Sequence, residues 1–317
     1  MKKQFVMGVD TSNYTTSVAL IGVDGTLAAN IKIPLPVKAG ECGLRQSDAV
    51  FAHIKNLPVA MQRARREIGD GEVVAIGVSE KPRNVEGSYM PCFLSGVAAA
   101  TSVSAATDIP IYKFSHQCGH IAAALYSSNR SDLFDREFCA FHVSGGTTEM
   151  LRVVPDEAAF KADVVGGTAD LNAGQLIDRV GVLMGLPFPC GSHIEELALA
   201  NTKKLTSRKP TLSGSYINLS GGENIAAKMY AETGDKSLVS AFVLEYISRG
   251  LISLADFYES QHCKSEFLFA GGVMSNSIIK ARLADRFDAS FAVPQLSSDN
   301  AVGIAYLTER AFNTEKK

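Results

Sequence analysis

The 317-residue sequence contains no Cys-X-X-Cys pair: its six cysteines, Cys42, Cys92, Cys118, Cys139, Cys190 and Cys263, are scattered singly along the chain. That distribution excludes a zinc ribbon and argues against a disulfide framework, so most of the thiols are expected as small buried hydrophobes. Charge of one sign is also missing. With 31 basic against 33 acidic residues the formal net charge is -2, and no overall basic signature points to nucleic acid, although a local patch is compatible with that balance. No uninterrupted apolar run approaches the roughly 18 residues of a membrane span. The start, Met1-Lys2-Lys3-Gln4-Phe5-Val6-Met7-Gly8, meets Asp10 before an apolar core of signal-peptide length develops. A cytoplasmic protein with no membrane partner is expected.

What is present is an ordinary globular composition, 46% hydrophobic and 20% charged, on a chain whose length favours about two domains. Phe5 to Val9, Ser17 to Ile21 and Leu27 to Ile33 read as an antiparallel meander whose first turn, Asp10 to Thr16, is rich in hydroxyls. A helix over Ser47 to Ile68, a buried strand over Val73 to Val78, a loop over Glu80 to Gly87 and a small-residue helix over Leu94 to Ala106 follow. Strand Ile109 to Phe114 then delivers His116. The order starts again at Phe138 to Val143 and Met150 to Val154, joined by the turn Ser144 to Glu149, so a hairpin with a hydroxyl-rich turn heads each half. Helices near Asn172 to Met184, Glu195 to Asn201 and Ser237 to Tyr258, and a buried strand Phe267 to Ala270, complete the second half. Thr202 to Gly222 reads as a long irregular excursion.

Chemistry concentrates in a few places. His116 and His120, four apart at the start of a helix, lie on one face about a turn from each other, which suits joint ligation of a metal or two solvated imidazoles. Cys118 lies between them, where packing is the simpler role. Asp299, in a Ser-Asp-Asn turn before an apolar helix, is either that helix's N-cap or a carboxylate completing a His, His, Asp set. His142 is either a hydrogen-bonded strand histidine or a further ligand. The Ser144-Gly145-Gly146 turn, paired with the turn containing Asp10 and Ser12, can hold phosphates through backbone N–H groups and hydroxyls. Gly271-Gly272 sits between a strand and a helix, where doubly wound folds approach nucleotides. Asp170, Asp178 and Glu195 are the remaining acidic candidates, on residue types that are more often solvated.

Taken in order, these motifs resemble the tRNA threonylcarbamoyladenosine transferase family. They are Gly8-Val9-Asp10-Thr11-Ser12, the HxxxH of His116 and His120, Val143-Ser144-Gly145-Gly146-Thr147-Thr148, Gly167-Thr168-Ala169-Asp170 with Gly174 and Asp178, Gly191-Ser192-His193-Ile194-Glu195, Ala270-Gly271-Gly272-Val273 with Asn276, and Ser298-Asp299-Asn300. The resemblance implies an α/β fold of the two-lobed actin, sugar kinase and Hsp70 type, with a nucleotide cleft between duplicated lobes. The lobes are expected at 1–113, completed by 300–317, and at 114–299. It implies one divalent metal, iron or zinc, on His116, His120 and Asp299, with His142 as a further ligand. ATP or an acyl-adenylate is implied near Asp10, Ser12, Val143, Ser144, Gly145, Gly146 and Thr147, with the nucleoside near Asp178, Gly191, Glu195 and Asn276. The implied reaction is transfer of a threonylcarbamoyl group to an adenosine of tRNA. The implied partners are an adenine nucleotide, tRNA, and a paralogous subunit of the same fold or a second copy of the chain.

The chain departs from that family's pattern at Asn13-Tyr14-Thr15, at Ser79 to Arg83 where the family has Gly-Pro-Gly, at Asp170-Leu171 for Asp-Asp, at Gln175 for Glu, and at Ser220-Gly221-Gly222-Glu223 for Ser-Gly-Leu-Lys. These losses of carboxylates and a lysine raise a second reading, a nucleotide-binding regulatory or scaffold subunit without the chemistry. A zincin-type metalloprotease would need Glu beside the first histidine, where Gln117 stands.

Overall fold

The protein is described from a computed structural model covering residues 2–12, 14–36, 44–157, 159–262, 264–296 and 301–316. In chain order the elements are β1 (Gln4–Ser12), β2 (Thr15–Gly22), β3 (Leu27–Pro34), α1 (Gln46–Glu67), β4 (Glu72–Lys81), α2 (Phe93–Thr107), β5 (Ile111–Ser115), α3 (His116–Ser128), β6 (Phe138–Val143), β7 (Thr148–Asp156) and β8 (Ala159–Thr168). There follow α4 (Ala173–Leu183), α5 (Gly191–Leu199), β9 (Thr211–Ser213), β10 (Tyr216–Asn218), α6 (Ser220–Thr233), α7 (Lys236–Gln261), β11 (Phe267–Ala270), α8 (Ser277–Arg286), β12 (Ala289–Phe291) and α9 (Val302–Glu315). The chain divides into two compact units, 1–136 with 154–162 and 295–317, and 137–153 with 163–294.

The first unit is built on a five-stranded sheet ordered β3-β2-β1-β4-β5, antiparallel within the meander and parallel from β1 to β4 and β5. Both faces are covered, and the alternation along β1 says by what. Phe5, Met7 and Val9 pack with Leu57, Ala60 and Ala64 of α1 and Ala100 of α2. Val6 faces the other way, onto Val302, Ala305 and Phe312 of α9. Gly8 lies on that second face, where a side chain would meet the backbone of Ala301 and Ala305, and its β4 partner Gly77 lies under Thr308. The backbone contact at Gly8 admits no Cβ, and one on Gly77 would overlap the Thr308 side chain.

The second unit repeats the plan. Its seven-stranded sheet is ordered β12-β11-β6-β7-β8-β10-β9, so β8-β7-β6-β11-β12 reproduces the order of the first sheet, with β6 and β7 antiparallel and β6, β11 and β12 parallel. Phe141, Phe269 and Phe291 stack in a row across β6, β11 and β12, at centroid distances of 4.9 and 5.2 Å. Phe141 and Phe269 are fully buried, and each such ring contributes roughly 1.5–3 kcal/mol. Helix α7 is long and apolar enough to cross a bilayer by length and composition, the one such helix among the described residues. Its apolar side chains, from Val239 to Tyr258, form the core of this unit.

Two expectations change. The segment Thr202 to Gly222 carries β9, β10 and the start of α6, because β10 adds to the edge of β8, pairing Tyr216 with Gly167. Short strands whose partner is distant in sequence leave little local pattern. The division between units falls at 136/137 and not at 113/114, since β5 runs directly into α3 and α3 lies along α9 in the first unit. There the helix backbones touch: a Cβ on Gly303 would overlap Gly119 O and stand 2.7 Å from Ala123 N. Gly303→Ala is therefore expected to destabilise the protein by about 1–3 kcal/mol, read as a fall in thermal midpoint; an unchanged midpoint would contradict the close packing of α3 on α9.

Candidate functional site

In the first unit the C-terminal end of β1 and the start of α3 bring three of the expected residues together. Ser115 caps α3, its hydroxyl accepting from Cys118 N–H at 3.2 Å, which makes His116 the first helical residue. Asp10, fully buried on β1, has its Oδ1 2.9 Å from His116 Nδ1. An ionised carboxylate only accepts, so His116 Nδ1 carries the proton and its Nε2 presents a lone pair. That Nε2 is 2.9 Å from His120 Nε2, with the rings edge-on at 76°. Ser79, at the end of β4, donates its hydroxyl to the same Asp10 Oδ1 at 2.5 Å.

Two imidazole nitrogens bound to one tetrahedral ion at 2.0–2.1 Å stand roughly 3.3 Å apart, close to the separation of these two Nε2 atoms. The donor chemistry and convergence therefore fit a divalent transition metal, with Asp10 behind His116 as the carboxylate partner that commonly orients a ligating histidine. Among the described residues, no group of three or more His, Cys, Asp and Glu is arranged to hold a metal ion. The expected third ligand, Asp299, lies outside the described residues. His142 belongs to the second unit, on β6 opposite Glu149. Cys118 is buried, donates its thiol to Phe160 O at 3.2 Å, and has its pKa pushed up by burial. It acts in packing. Cys92, Cys139 and Cys190 are likewise buried free thiols, while Cys42 and Cys263 lie outside the described residues.

A buried histidine that the sequence did not single out braces the first turn. His53 of α1, fully buried, has Nδ1 2.8 Å from Thr16 Oγ1 and Nε2 2.9 Å from Ser12 O. Asn56 donates to the same Thr16 hydroxyl at 3.3 Å. A carbonyl only accepts, so Nε2 is the protonated nitrogen, and the Thr16 hydroxyl donates to Nδ1. The partners lie about 40 residues apart in sequence, beyond the reach of any periodic pattern. Ser12, an expected nucleotide contact, is thus held by its carbonyl.

The second unit gathers the glycine motifs. In the β6–β7 turn Ser144 N–H donates to Thr147 O at 2.7 Å, while Gly146 and Thr147 N–H donate to Ser144 Oγ at 3.3 and 3.1 Å. The start of α4 closes on this turn: Gly174 N–H reaches Ser144 O at 3.1 Å, and a Cβ on Gly174 would stand 2.7 Å from Gly145 Cα. Gly271 follows β11 with φ +103° and packs against Val143 O. One turn along α4 from Gly174, Asp178 Oδ1 accepts from Cys190 N–H at 2.8 Å and so fixes the start of α5 at Gly191. Glu195 of α5 accepts from Ser277 N–H at 2.7 Å, and Asn276 caps α8 through Ile278 and Ile279 N–H at 3.1 Å. Val143, Ser144, Gly145, Gly146, Thr147, Asp178, Gly191, Glu195 and Asn276 therefore form one neighbourhood tied together by α4, α5 and α8.

The glycines here divide by what they need. Gly174 and Gly271 are demanded by packing or by φ, whereas a Cβ on Gly145, Gly146, Gly191 or Gly272 would meet nothing within 4 Å, and none of the four has positive φ. Nearby, Asp170 accepts from Leu219 N–H at 2.8 Å and Ser220 Oγ at 2.5 Å. Burial opposes its charge, but the donors from Ser220, Leu171, Leu219 and Asn218 outweigh it and lower the carboxyl to about 2. Gln175 keeps a capping box with Asn172 at the start of α4, and Glu223 pairs with Arg179 at 3.1 Å.

The model of the family described as tRNA N6-adenosine threonylcarbamoyltransferase matches residues 38–306. Curated proteins of that name are similar over nearly their whole length. One from Lactococcus lactis subsp. cremoris is 28% identical, covering 96% of this chain and 91% of its own. One from Methanopyrus kandleri is 26% identical, covering 95% and 85%, and one from Bacillus cereus 28%, covering 100% and 94%. Among solved structures, full-length HypF in a phosphate- and nucleotide-bound form superposes with a TM-score of 0.58 at 13% identity, over 99% of this chain and 56% of that one. The (R)-2-hydroxyglutaryl-CoA dehydratase component A of Acidaminococcus fermentans gives 0.54 at 11%, over 99% of each chain. The ROK hexokinase of Thermus thermophilus gives 0.53 at 14%, over 99% and 100%. These likenesses establish the actin and sugar kinase type of fold.

The His53 brace has a pH signature. Desolvation lowers the His53 pKa, with the Ser12 carbonyl and the Asp10 charge acting against it, so below about pH 6.5 the unfolded chain binds a proton that the folded chain does not. Its contribution to stability is therefore full above that pH and is lost as the pH falls through the lowered value. Thermal midpoints between pH 7.5 and 5 should fall more steeply for the wild type than for His53→Ala; parallel curves would remove His53 as a titrating brace.

Proposed function

Since the chain belongs to the tRNA N6-adenosine threonylcarbamoyltransferase family, we propose that it is an acyl transferase that moves a threonylcarbamoyl group from its adenylate to the amino nitrogen of a tRNA adenosine. The observation that carries the nucleotide half of this reading is the pair Gly145-Gly146, glycines that neither packing nor backbone conformation requires. Close approach of a ligand does require them. Phosphate oxygens arriving there replace Ser144 Oγ as acceptors for the Gly146 and Thr147 N–H groups, and the freed Ser144 hydroxyl turns to donate. Asp178, with one oxygen on Cys190 N–H, and Glu195, with one on Ser277, each keep a second oxygen for the nucleoside's hydroxyls. The adenylate leaves as AMP, and N–H groups that hold its phosphate stabilise the charge it gains.

His116 and His120 would hold a divalent metal, iron or zinc, through Nε2, together with Asp299. Such an ion would supply Lewis-acid polarisation of the acyl or phosphate oxygen. Asp10 holds His116 in the tautomer that ligation needs. The protein acts in the cytoplasm, with tRNA as acceptor and a paralogous subunit or a second copy as partner.

A second reading, a regulatory or scaffold subunit, draws on the altered positions. Asp170 is spent on capping α6, and Glu223, where the family pattern has lysine, is spent on Arg179. Nucleotide binding with no modified adenosine, after incubation with the adenylate and unmodified tRNA, would favour it; modified nucleoside detected by mass spectrometry establishes the transferase.

Gly145→Val should leave the thermal midpoint within about 0.5 kcal/mol of stability of wild type yet weaken ATP binding at least tenfold by calorimetry; equal titration curves would sink the phosphate role. His116→Ala should abolish metal retention with the fold intact, and unchanged metal content in the purified variant would count against that ligand.

A further inference from the structure

We infer that Ser79 is a positioning residue for the histidine pair: its hydroxyl locks the Asp10 carboxylate against His116 Nδ1 and so keeps the proton on Nδ1 and the Nε2 lone pair turned toward His120. The inference rests on the metal reading above. Ser79 Oγ donates to Asp10 Oδ1 at 2.5 Å, and His116 Nδ1 stands 2.9 Å from the same oxygen. Two donors therefore converge on one oxygen of a fully buried carboxylate. Ser12 N–H reaches Oδ2 at 3.4 Å. With the hydroxyl in place, Oδ1 is fixed in the plane where the imidazole N–H meets it. Without it, Oδ1 loses one of its donors, and its alignment on the imidazole N–H weakens.

The local backbone is shaped for this contact. The pairing of β4 with β5 shifts register between Ser79, opposite Phe114, and Lys81, opposite Ser115, leaving Glu80 as an extra residue. Bulges of this kind re-aim a side chain. This one lies between Ser79 and the residue that caps α3. The loop beyond it also holds the first turn of α3, with Gln117 N–H donating to Pro82 O at 3.0 Å. The irregularity in β4 thus lies directly between Ser79, whose hydroxyl meets Asp10, and the loop that holds the start of the helix carrying His116. It falls in the stretch from Ser79 to Arg83 where the chain departs from the family's glycine-containing loop, so the device belongs to this chain's own sequence.

The test compares wild type, Ser79→Ala and Ser79→Thr, with two readouts that do not need activity. The first is the His116 tautomer in metal-free protein, from long-range proton-nitrogen correlation on histidine-labelled samples. The second is the zinc dissociation constant, from competition with a chromogenic chelator. The wild type should hold the Nδ1–H tautomer. Ser79→Ala should mix the tautomers and weaken zinc binding about 10–100-fold, while Ser79→Thr, which keeps the hydroxyl, restores both. If Ser79→Ala does not fold, Ser79→Cys, of similar size with a weak donor, carries the same comparison. A wild type that binds no zinc overturns the metal reading itself. A wild type that binds zinc, beside an alanine or cysteine variant with equal affinity and the same tautomer, overturns the role of Ser79 alone.

Discussion

The contact on which the first unit depends is backbone against backbone. Helix α9 lies directly on Gly8 of β1 and Gly77 of β4, and through Gly303 on Gly119 of α3. At Gly8 and Gly303 the groups a Cβ would strike are peptide atoms that cannot move aside, and at Gly77 it would strike the Thr308 side chain. The consequence is positional. With β1 and α3 both fixed against α9, the end of β1 and the first turn of α3 meet, and Asp10 reaches His116. A histidine two residues further along α3 would point elsewhere. The chemistry of the pair is thus a by-product of how closely three elements pack.

The two units solve different problems with the same strand order. In the first, a carboxylate is taken wholly out of water and must be answered by donors, so Asp10 is surrounded by a hydroxyl and an imidazole, and His53 secures the neighbouring turn. Leaving such a group unanswered would cost several kcal/mol. In the second, the turn after β6 leaves glycine surface open and spends its own N–H groups on Ser144. One arrangement is closed and prepositioned, suited to orienting a ligand atom. The other is provisional, suited to being displaced by an arriving phosphate.

The departures from the family's pattern have structural occupations. Gln175 still closes the capping box at α4, which an amide does as well as a carboxylate. Asp170 satisfies the start of α6, and Glu223 pairs with Arg179 across α4 and α6. The exposed Arg179 pair adds little stability, yet it puts a negative charge where the pattern has a positive one. The glycine turn after β6 beside altered charge at positions 171, 175 and 223 is the physical content of the two functional readings.

The sequence by itself determined the period-2 strands, the amphipathic helices, the repetition of a hairpin at the head of each half, and the glycine and histidine motifs in their order. Those signals are local, arising from side-chain alternation and turn chemistry within a few residues. Only the tertiary structure decided that α3 belongs with the first unit, that β10 adds to β8, that Ser79 and His53 stand behind Asp10 and Ser12, and which glycines are demanded by packing. Each of these depends on atoms from residues tens of positions apart, such as Ser79 with Asp10 or Gly303 with Gly119. Spacing within one stretch carries no information about such pairs, because the approach is set by the packing of whole elements.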